Sequence, residues 1–381
     1  MAKRFAKWKI SSTFISVGVR ESEFVLPEEV KEVYREQVGG DDREVVYLLP
    51  NKSDFYAPEN KLALGNYLRE QNIKVLFVTY LDGRFFDDKL GVPECRFVYW
   101  HHVMPFVERV DAAEWDWFKT RYSKKWWIYW HLLGRKYYHG LPLFLKKLRE
   151  HYRTDIECFD NYIALCPEYK DDFVRELKLP QLTADKIFSI INTIDTERET
   201  KLIKSKVIIW VGRLQMVHKR YDRMLEVWRM VQDKLPDWTL RFYGSGDDIA
   251  GLIGQNDLQR VEVCGFTNDM SRIYDEAAVL CSTSTYEGWP MVVAEAQGHG
   301  VVPISFDCCK GVHSMLGSTV QAGVLVKPFN LKAYARELVR LCRNDEYRAQ
   351  LQTNCLEKRK DYAPDVNDAV WQEFFSSVVR F

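Results

Sequence analysis

The chain has 381 residues, about two and a half times the ~150-residue domain prior, so two domains are expected. Its 54 basic residues balance 54 acidic ones, which excludes the global positive field of a protein that coats nucleic acid. With 46% hydrophobic and 28% charged residues the main state is folded, while 12 Trp, 20 Tyr and 21 Phe leave an aromatic excess to be placed.

The first residues, MAKRFAKWKISSTFISVGV, start basic, but Ser11, Ser12, Thr13 and Ser16 break the apolar stretch and predict a cytosolic N-terminus rather than a signal peptide. No run of about 18 apolar residues occurs anywhere, so no membrane-spanning helix is expected. A helical stretch over 27–38 precedes Gly39-Gly40, read as a simple turn. Strands follow at Glu44–Leu49, Lys74–Tyr80 and Arg96–Trp100, with a helix over 58–71 between the first two. Cys158–Cys166 reads as a fourth strand of this first α/β sheet.

Between the third and fourth strands the chain is basic and aromatic. Residues 118–153 hold ten Lys or Arg against Glu150 alone, a net of +9, and Trp100, Trp115, Trp117, Trp126, Trp127 and Trp130 crowd into its neighbourhood. Trp and Tyr favour the headgroup layer, and cations favour an anionic leaflet, so one reading is an anchor on an anionic membrane surface. The other is a helical insertion packed on the first sheet with a solvated basic rim. The nine cysteines, scattered and never spaced C-x-x-C, read as free thiols with no metal site.

The polar stretch 195–205 predicts the domain boundary, giving an N-terminal domain over 1–200, a C-terminal domain over 201–365, and a last helix over 366–381 that crosses back. Beyond it, strands and helices alternate: Lys206–Val211, a helix over Arg220–Leu235, Thr239–Tyr243, a polar-apolar stretch over 247–258, Val261–Cys264, a helix near 268–278, Val279–Ser282, a helix near 290–298, and Val301–Phe306. This alternation specifies a parallel, doubly wound sheet.

Such sheets bind ligands at the carboxyl ends of their strands, and four features fall there. Gly212-Arg213-Leu214, followed by Lys219, places two cations where they can clamp a diphosphate, although alone they read equally as solvated charges. Glu287 and Glu295 flank a Gly/Pro-bounded loop and a helix expected to start at Pro290, so that a carboxylate hydroxyl-acceptor and free helix N–H groups share one mouth. Gly265-Phe266 follows the third strand of this half and can hold a base or sit in the core. Gly244-Ser245-Gly246 opens like a dinucleotide fingerprint, but Ile249 stands in the place of its third glycine.

Taken together, VGRL…HKRYDRMLEVW…LPDWTLRFYGSG…VEVCGF…IYDEAAVLCSTSTYEGWPMVVAEAQGHGVVPISF resembles the nucleotide-sugar domain of the retaining GT-B glycosyltransferases of family 4, the group 1 glycosyltransferases, over roughly 205–378. The resemblance implies an α/β GT-B fold of two Rossmann-like doubly wound domains facing a cleft. It implies that Arg213 and Lys219 hold the donor diphosphate and stabilise leaving-group charge. Glu295 would take the ribose hydroxyls, Phe266 would lie at the base, and Glu287 with the backbone of Gly288, Trp289, Pro290 and Met291 would grip the donor sugar. Gly212 and Gly244 would line the donor. A His at a first-domain strand end would approach the sugar, here His101 or His102, with His102 favoured. The opening strand and Gly-Gly loop of that family are not recognisable in residues 1–40.

The expected activity is therefore metal-independent transfer of a sugar from a UDP- or GDP-linked nucleotide-sugar to a glycan or lipid-linked acceptor, with retention, in cell-surface polysaccharide or glycolipid synthesis. The nucleotide-sugar is a substrate, and no cofactor or nucleic-acid partner is expected. A cytoplasmic location, peripheral on the membrane face, follows. The alternatives are a sugar-nucleotide epimerase or phosphorylase of the same fold, revealed by turnover without an acceptor, and a non-catalytic nucleotide-sugar- or membrane-binding protein, revealed by nucleotide binding without turnover.

Overall fold

The computed structural model describes residues 8, 15–16, 46–47, 51, 54, 56–79, 83–86, 88–120, 123–134, 142–196, 200–317 and 320–378. Two compact units divide the chain, Met1–Val98 and Tyr99–Phe381. In the first, strand β1 (Ile15–Ser16) pairs in parallel with β2 (Val46–Tyr47), Ile15 lying opposite Val46. An opening strand therefore exists where the sequence predicted none. Two residues suffice once a partner strand supplies the ladder, and the surrounding serines hid the signal. The helical stretch 27–38 and Gly39-Gly40 lie outside the described residues.

Helix α1 (Pro58–Glu70) starts on a proline whose fixed φ suits the first turn, and buries Leu64 and Leu68. After β3 (Val75–Val78), the division between the units falls inside β4 (Arg96–Trp100).

The second unit begins with α2 (Val107–Lys119) and α3 (Lys124–Tyr129), which runs into a π-helical turn at Trp130–Gly134, then α4 (Pro142–Cys158). Because α4 extends to Cys158, the strand expected from there shortens to β5 (Asn161–Ala164). After α5 (Pro167–Leu177) and α6 (Gln181–Ala184), β6 (Ile187–Ser189) pairs with β5 in parallel.

The strand–helix alternation then continues through β7 (Val207–Val211), α7 (Tyr221–Val231), β8 (Thr239–Tyr243), α8 (Ala250–Gln255), β9 (Val261–Gly265) and α9 (Met270–Glu276). It ends with β10 (Val279–Ser282), α10 (Met291–Gly298), β11 (Val302–Phe306), α11 (Lys310–Leu316), β12 (Val324–Val326), α12 (Leu331–Arg343), α13 (Asp345–Lys358) and α14 (Asp368–Val378). Helix α10 starts one residue later than expected, because Pro290 holds an extended ψ of 104° and serves as its N-cap.

These strands form one parallel six-stranded sheet in the order β12-β11-β10-β7-β8-β9. Side chains alternate across it. Ile208 and Trp210 of β7 join the core under α7 and α12, while Val207 and Ile209 face the core that also holds Tyr162, Tyr169 and Phe173. Burial on both faces explains why KVIIWV reads as an unbroken apolar run. The second core thus joins residues on both sides of 195–205. The final helix packs the same way, with the Trp371 ring 5.3 Å from Trp100 and the Phe374 ring 5.2 Å from Phe188, and Asn367, just ahead of the helix, donates from Nδ2 to the Ile191 carbonyl at 2.6 Å.

Candidate functional site

The strand order reverses between β7 and β10: the chain leaves β7 toward β8 on one side, and β10 and β11 lie on the other. A crevice outside the carboxyl ends at such a reversal is where open α/β sheets bind ligands. Arg213 and Lys219 follow β7 and Glu287 follows β10, so the sheet brings these three to one crevice.

Glu287 is its centre. Only 6% exposed, its Oε1 accepts from Lys219 Nζ at 2.8 Å and from the Ser284 hydroxyl at 2.6 Å, and His218 Nε2 lies 3.9 Å from Oε2. Burial alone raises this carboxyl, but Lys219, His218 and Ser284 together outweigh it and hold it below the ordinary carboxylate range. His218 stacks on Tyr286 with ring centroids 4.3 Å apart and donates from Nε2 to the Tyr286 carbonyl at 3.0 Å. The Tyr286 hydroxyl donates in turn to Asp111 on α2 at 2.6 Å. None of His218, Ser284, Tyr286 and Asp111 was legible as a site residue. Only the adjacency of His218 to Lys219 hinted at it.

The backbone of the same loop is tied from below. The Tyr169 hydroxyl on α5 donates to the carbonyls of Gly288 (3.0 Å) and Glu287 (3.3 Å) and accepts from Gly311 N–H at 3.1 Å. Gly288 is needed here because a Cβ would stand 2.6 Å from the His102 carbonyl oxygen. His102 is thereby placed against the Glu287 loop by its backbone, while its ring tilts over Trp100 at 4.8 Å. His101 points elsewhere. It is 4% exposed among Tyr152, Tyr162 and Phe173, meets the Tyr162 hydroxyl at 2.9 Å through Nδ1, and burial lowers its imidazolium to about 3.

Arg213 is exposed and forms no ion pair among the described residues, whereas Lys219 is committed to Glu287. Phe266 is 71% exposed beyond β9, so the core alternative for it does not hold. Gly212 and Gly244 pack backbone to backbone. Gly212 N–H donates to Tyr243 O at 3.0 Å, and a Cβ on Gly244 would collide with the Gly212 carbonyl oxygen. That close approach accounts for the GSG motif.

Met291 opens α10; the N–H groups of Val293 and Ala294 meet the Pro290 carbonyl at 2.9 and 3.4 Å, and those of Met291 and Val292 begin the turn ahead of any helical carbonyl. The Trp289 side chain turns into the core, 7% exposed, with its ring 6.0 Å from Tyr362. Glu295 does not join Glu287. Its Oε2 accepts from the Tyr274 hydroxyl at 2.9 Å, and burial raises its carboxyl despite that bond.

Residues 205–344 match the family model described as Glycosyl transferases group 1. An uncharacterized glycosyltransferase of Haemophilus influenzae is 30% identical over 175 residues, 45% of this chain and 49% of that protein. The poly(ribitol-phosphate) alpha-N-acetylglucosaminyltransferase of Staphylococcus aureus is 26% identical over 207 residues, 52% of this chain and 41% of that one. The chain thus spans about half or less of the length of these curated relatives. Among solved structures, Anabaena HepE in complex with UDP superimposes with a TM-score of 0.63 at 14% identity, over 90% of this chain and 89% of that one. The second half of this chain matches the group 1 glycosyl transferases, and the chain has the α/β fold of the GT-B glycosyltransferases.

Proposed function

We propose that the protein transfers a sugar from a nucleotide-linked donor to a glycan or lipid-linked acceptor, with retention of anomeric configuration, in cell-surface polysaccharide synthesis. The observation that carries this reading is the buried Lys219–Glu287 pair at the strand-order reversal, beside the exposed Arg213 and the first turn of α10. Arg213 and Lys219 supply the positive charge that a departing nucleoside diphosphate requires, so the reading needs no metal. Glu287 holds Lys219 in place at 2.8 Å, and its Oε2, whose ion-pair contact among the described residues is His218 at 3.9 Å, is the acceptor for donor-sugar hydroxyls. Phe266 offers an exposed ring to a base. Glu295 reaches the ribose once Tyr274 yields, and His102 closes on the sugar from the Gly288 side.

The name of the Staphylococcus aureus relative points to a polymeric acceptor, and the Anabaena neighbour's UDP makes uridine the first base to test. The experiment is a thermal-shift series with UDP and GDP, followed by transfer assays with the sugar conjugates of the nucleotide that binds. Bound nucleotide raises the melting temperature by mass action. A shift with either, abolished in Arg213→Ala, and transfer abolished in Glu287→Ala, are expected. No shift with either nucleotide overturns the reading.

The membrane-facing expectation for 118–153 also finds support. Trp127, Ile128, Leu132 and Leu133 are 45–63% exposed along α3 and the π-turn, next to exposed Lys124 and Lys125. Among the described residues no helix is long and apolar enough to cross a membrane. We infer peripheral attachment by this ridge to an anionic leaflet. Liposome co-sedimentation tests it: equal binding to neutral and anionic vesicles, or binding to neither, overturns it.

A further inference from the structure

A cavity of about 510 Å³ opens between α2 and the start of α7, within the roughly 300–1,000 Å³ range of small-molecule sites. Two of its walls are indoles, Trp117 and Trp130. Three carboxylates also line it: Glu114, Asp222 and Glu226. Its two arginines are buried and already engaged. Arg220, 4% exposed, pairs with Glu114 at 2.9 Å and with Asp222 at 2.9 and 3.1 Å, and lies 4.7 Å over the Trp117 ring. Arg223, 7% exposed, donates to the Thr283 carbonyl and the Thr285 hydroxyl and stacks on Phe329 at 4.1 Å. Arg220 holds this position in the left-handed region, at φ 54°. A bulky side chain stays there only when its surroundings over-determine it, and such positions cluster at ligand sites.

The charge decides the class of occupant. Two guanidinium groups face three carboxylates, so the lining is net negative; Arg220 is paired twice, and Arg223 lies 3.9 Å from Glu114 while its Nη1 donors are spent on Thr283 and Thr285. An anion such as a phosphate diester would meet carboxylate oxygens rather than free donors. A pyranose ring fits, because carboxylates accept from its hydroxyls and indoles cover its apolar C–H face. The cavity also borders the donor crevice. Arg220 follows Lys219, Thr285 lines the cavity two residues before Glu287, and Val110 on its wall adjoins Asp111, which accepts from Tyr286.

We propose that this cavity is the acceptor subsite and that it takes a neutral or aminated sugar ring rather than a phosphorylated unit. The inference rests on the transferase reading above. It gives Trp117 and Trp130 a role in ring recognition, and Glu226, the exposed carboxylate on the rim, a role in choosing among hydroxyl patterns.

The test is saturation-transfer NMR on the full chain. The probes are the methyl glycosides of glucose, galactose, N-acetylglucosamine and glucosamine, with glycerol 3-phosphate as the anionic arm, each at about 20 mM for millimolar binders. At least one glycoside is expected to receive saturation. Trp130→Ala should weaken that binding at least five-fold, Glu226→Gln should change the ranking among glycosides, and glycerol 3-phosphate should give nothing.

No transfer to any glycoside, binding unchanged in both variants, or glycerol 3-phosphate binding above every glycoside overturns the assignment. Circular dichroism confirms that each variant is folded. A UDP and GDP thermal shift on the same preparation separates the two readings. Nucleotide binding without glycoside binding removes the cavity assignment alone. Glycoside binding without nucleotide binding removes the transferase reading and leaves a sugar-binding cavity with no acceptor role.

Discussion

Removing either partner of the Lys219–Glu287 pair should have unequal consequences. Lys219→Ala strands a carboxylate that is 6% exposed and that keeps, among the described residues, the Ser284 hydroxyl and a distant His218. Breaking a buried pair in this way costs about 3–5 kcal/mol, and the surviving hydroxyl places this case near 3. Glu287→Ala instead leaves a lysine whose side chain is 18% exposed and reaches water through a flexible stem, so about 1–2 kcal/mol is expected. At roughly 2 °C per kcal/mol for a chain of this size, the losses are about 6 °C and about 2–4 °C.

Acidity supplies the sharper test. In the wild type the Glu287 carboxyl titrates below its ordinary value, so its contribution to stability is present above about 4.5 and is lost as pH falls through the lower folded value. Without Lys219 the balance reverses. Burial raises the carboxyl above its unfolded value, the buried charge destabilises at pH 7, and protonation on acidification relieves it. The melting-temperature gap between wild type and Lys219→Ala should therefore narrow from pH 7 to pH 5, read by scanning fluorimetry in matched buffers. A gap that keeps its width, or a Glu287→Ala variant as unstable as Lys219→Ala, would refute the reasoning.

Other expectations are simpler. Arg213→Ala should leave the melting temperature within about 1 °C, because the residue is exposed and makes no ion pair among the described residues, while the nucleotide-induced shift disappears. Phe266→Ala should also fold normally yet weaken nucleotide binding about 5- to 160-fold, the range of a lost base–aromatic stack, measured by calorimetry. Gly244→Ala should cost more than about 2 kcal/mol, since φ is +141° and the added methyl meets the Gly212 carbonyl; chemical denaturation reads it. His101, neutral when folded with its imidazolium at about 3, gives stability that is full above about 6.5 and falls progressively toward pH 3. His101→Phe should remove about 2 kcal/mol of the acid-side loss at pH 5, visible as a flatter melting profile between pH 7 and 5.

What the sequence disclosed and what it withheld divide by the range of the interaction. Strands β8 and β10 fall at their expected bounds, β10 because a fully buried parallel strand writes itself as a continuous apolar run, and β8 because buried Leu240 and Phe242 alternate with half-buried Thr239, Arg241 and Tyr243. The loop glycines were visible as punctuation, but their purpose was not. Gly288 is glycine because His102 passes beside it, and Gly244 because Gly212 does, and neither neighbour is near in sequence. In the same way Glu295 carries the spacing of a partner to Glu287 yet bonds to Tyr274, and Trp289 sits amid the motif yet turns into the core. Strand β1 escaped notice because two residues carry no periodicity.

The phenol of Tyr169 has a practical consequence for anyone dividing this chain. The recognisable family segment begins at residue 205, yet the loop bearing Glu287 hangs on a hydroxyl contributed 36 residues before that point, and Ile194 donates across to Tyr362 beyond the segment's end. A fragment cut at the family limits would carry Arg213, Lys219 and Glu287 and lack both Asp111 and the post that fixes their loop. For this protein the smallest working part is larger than the part that sequence comparison recognises. Recombining such segments between relatives should succeed only when a tyrosine at the position of Tyr169 travels with them.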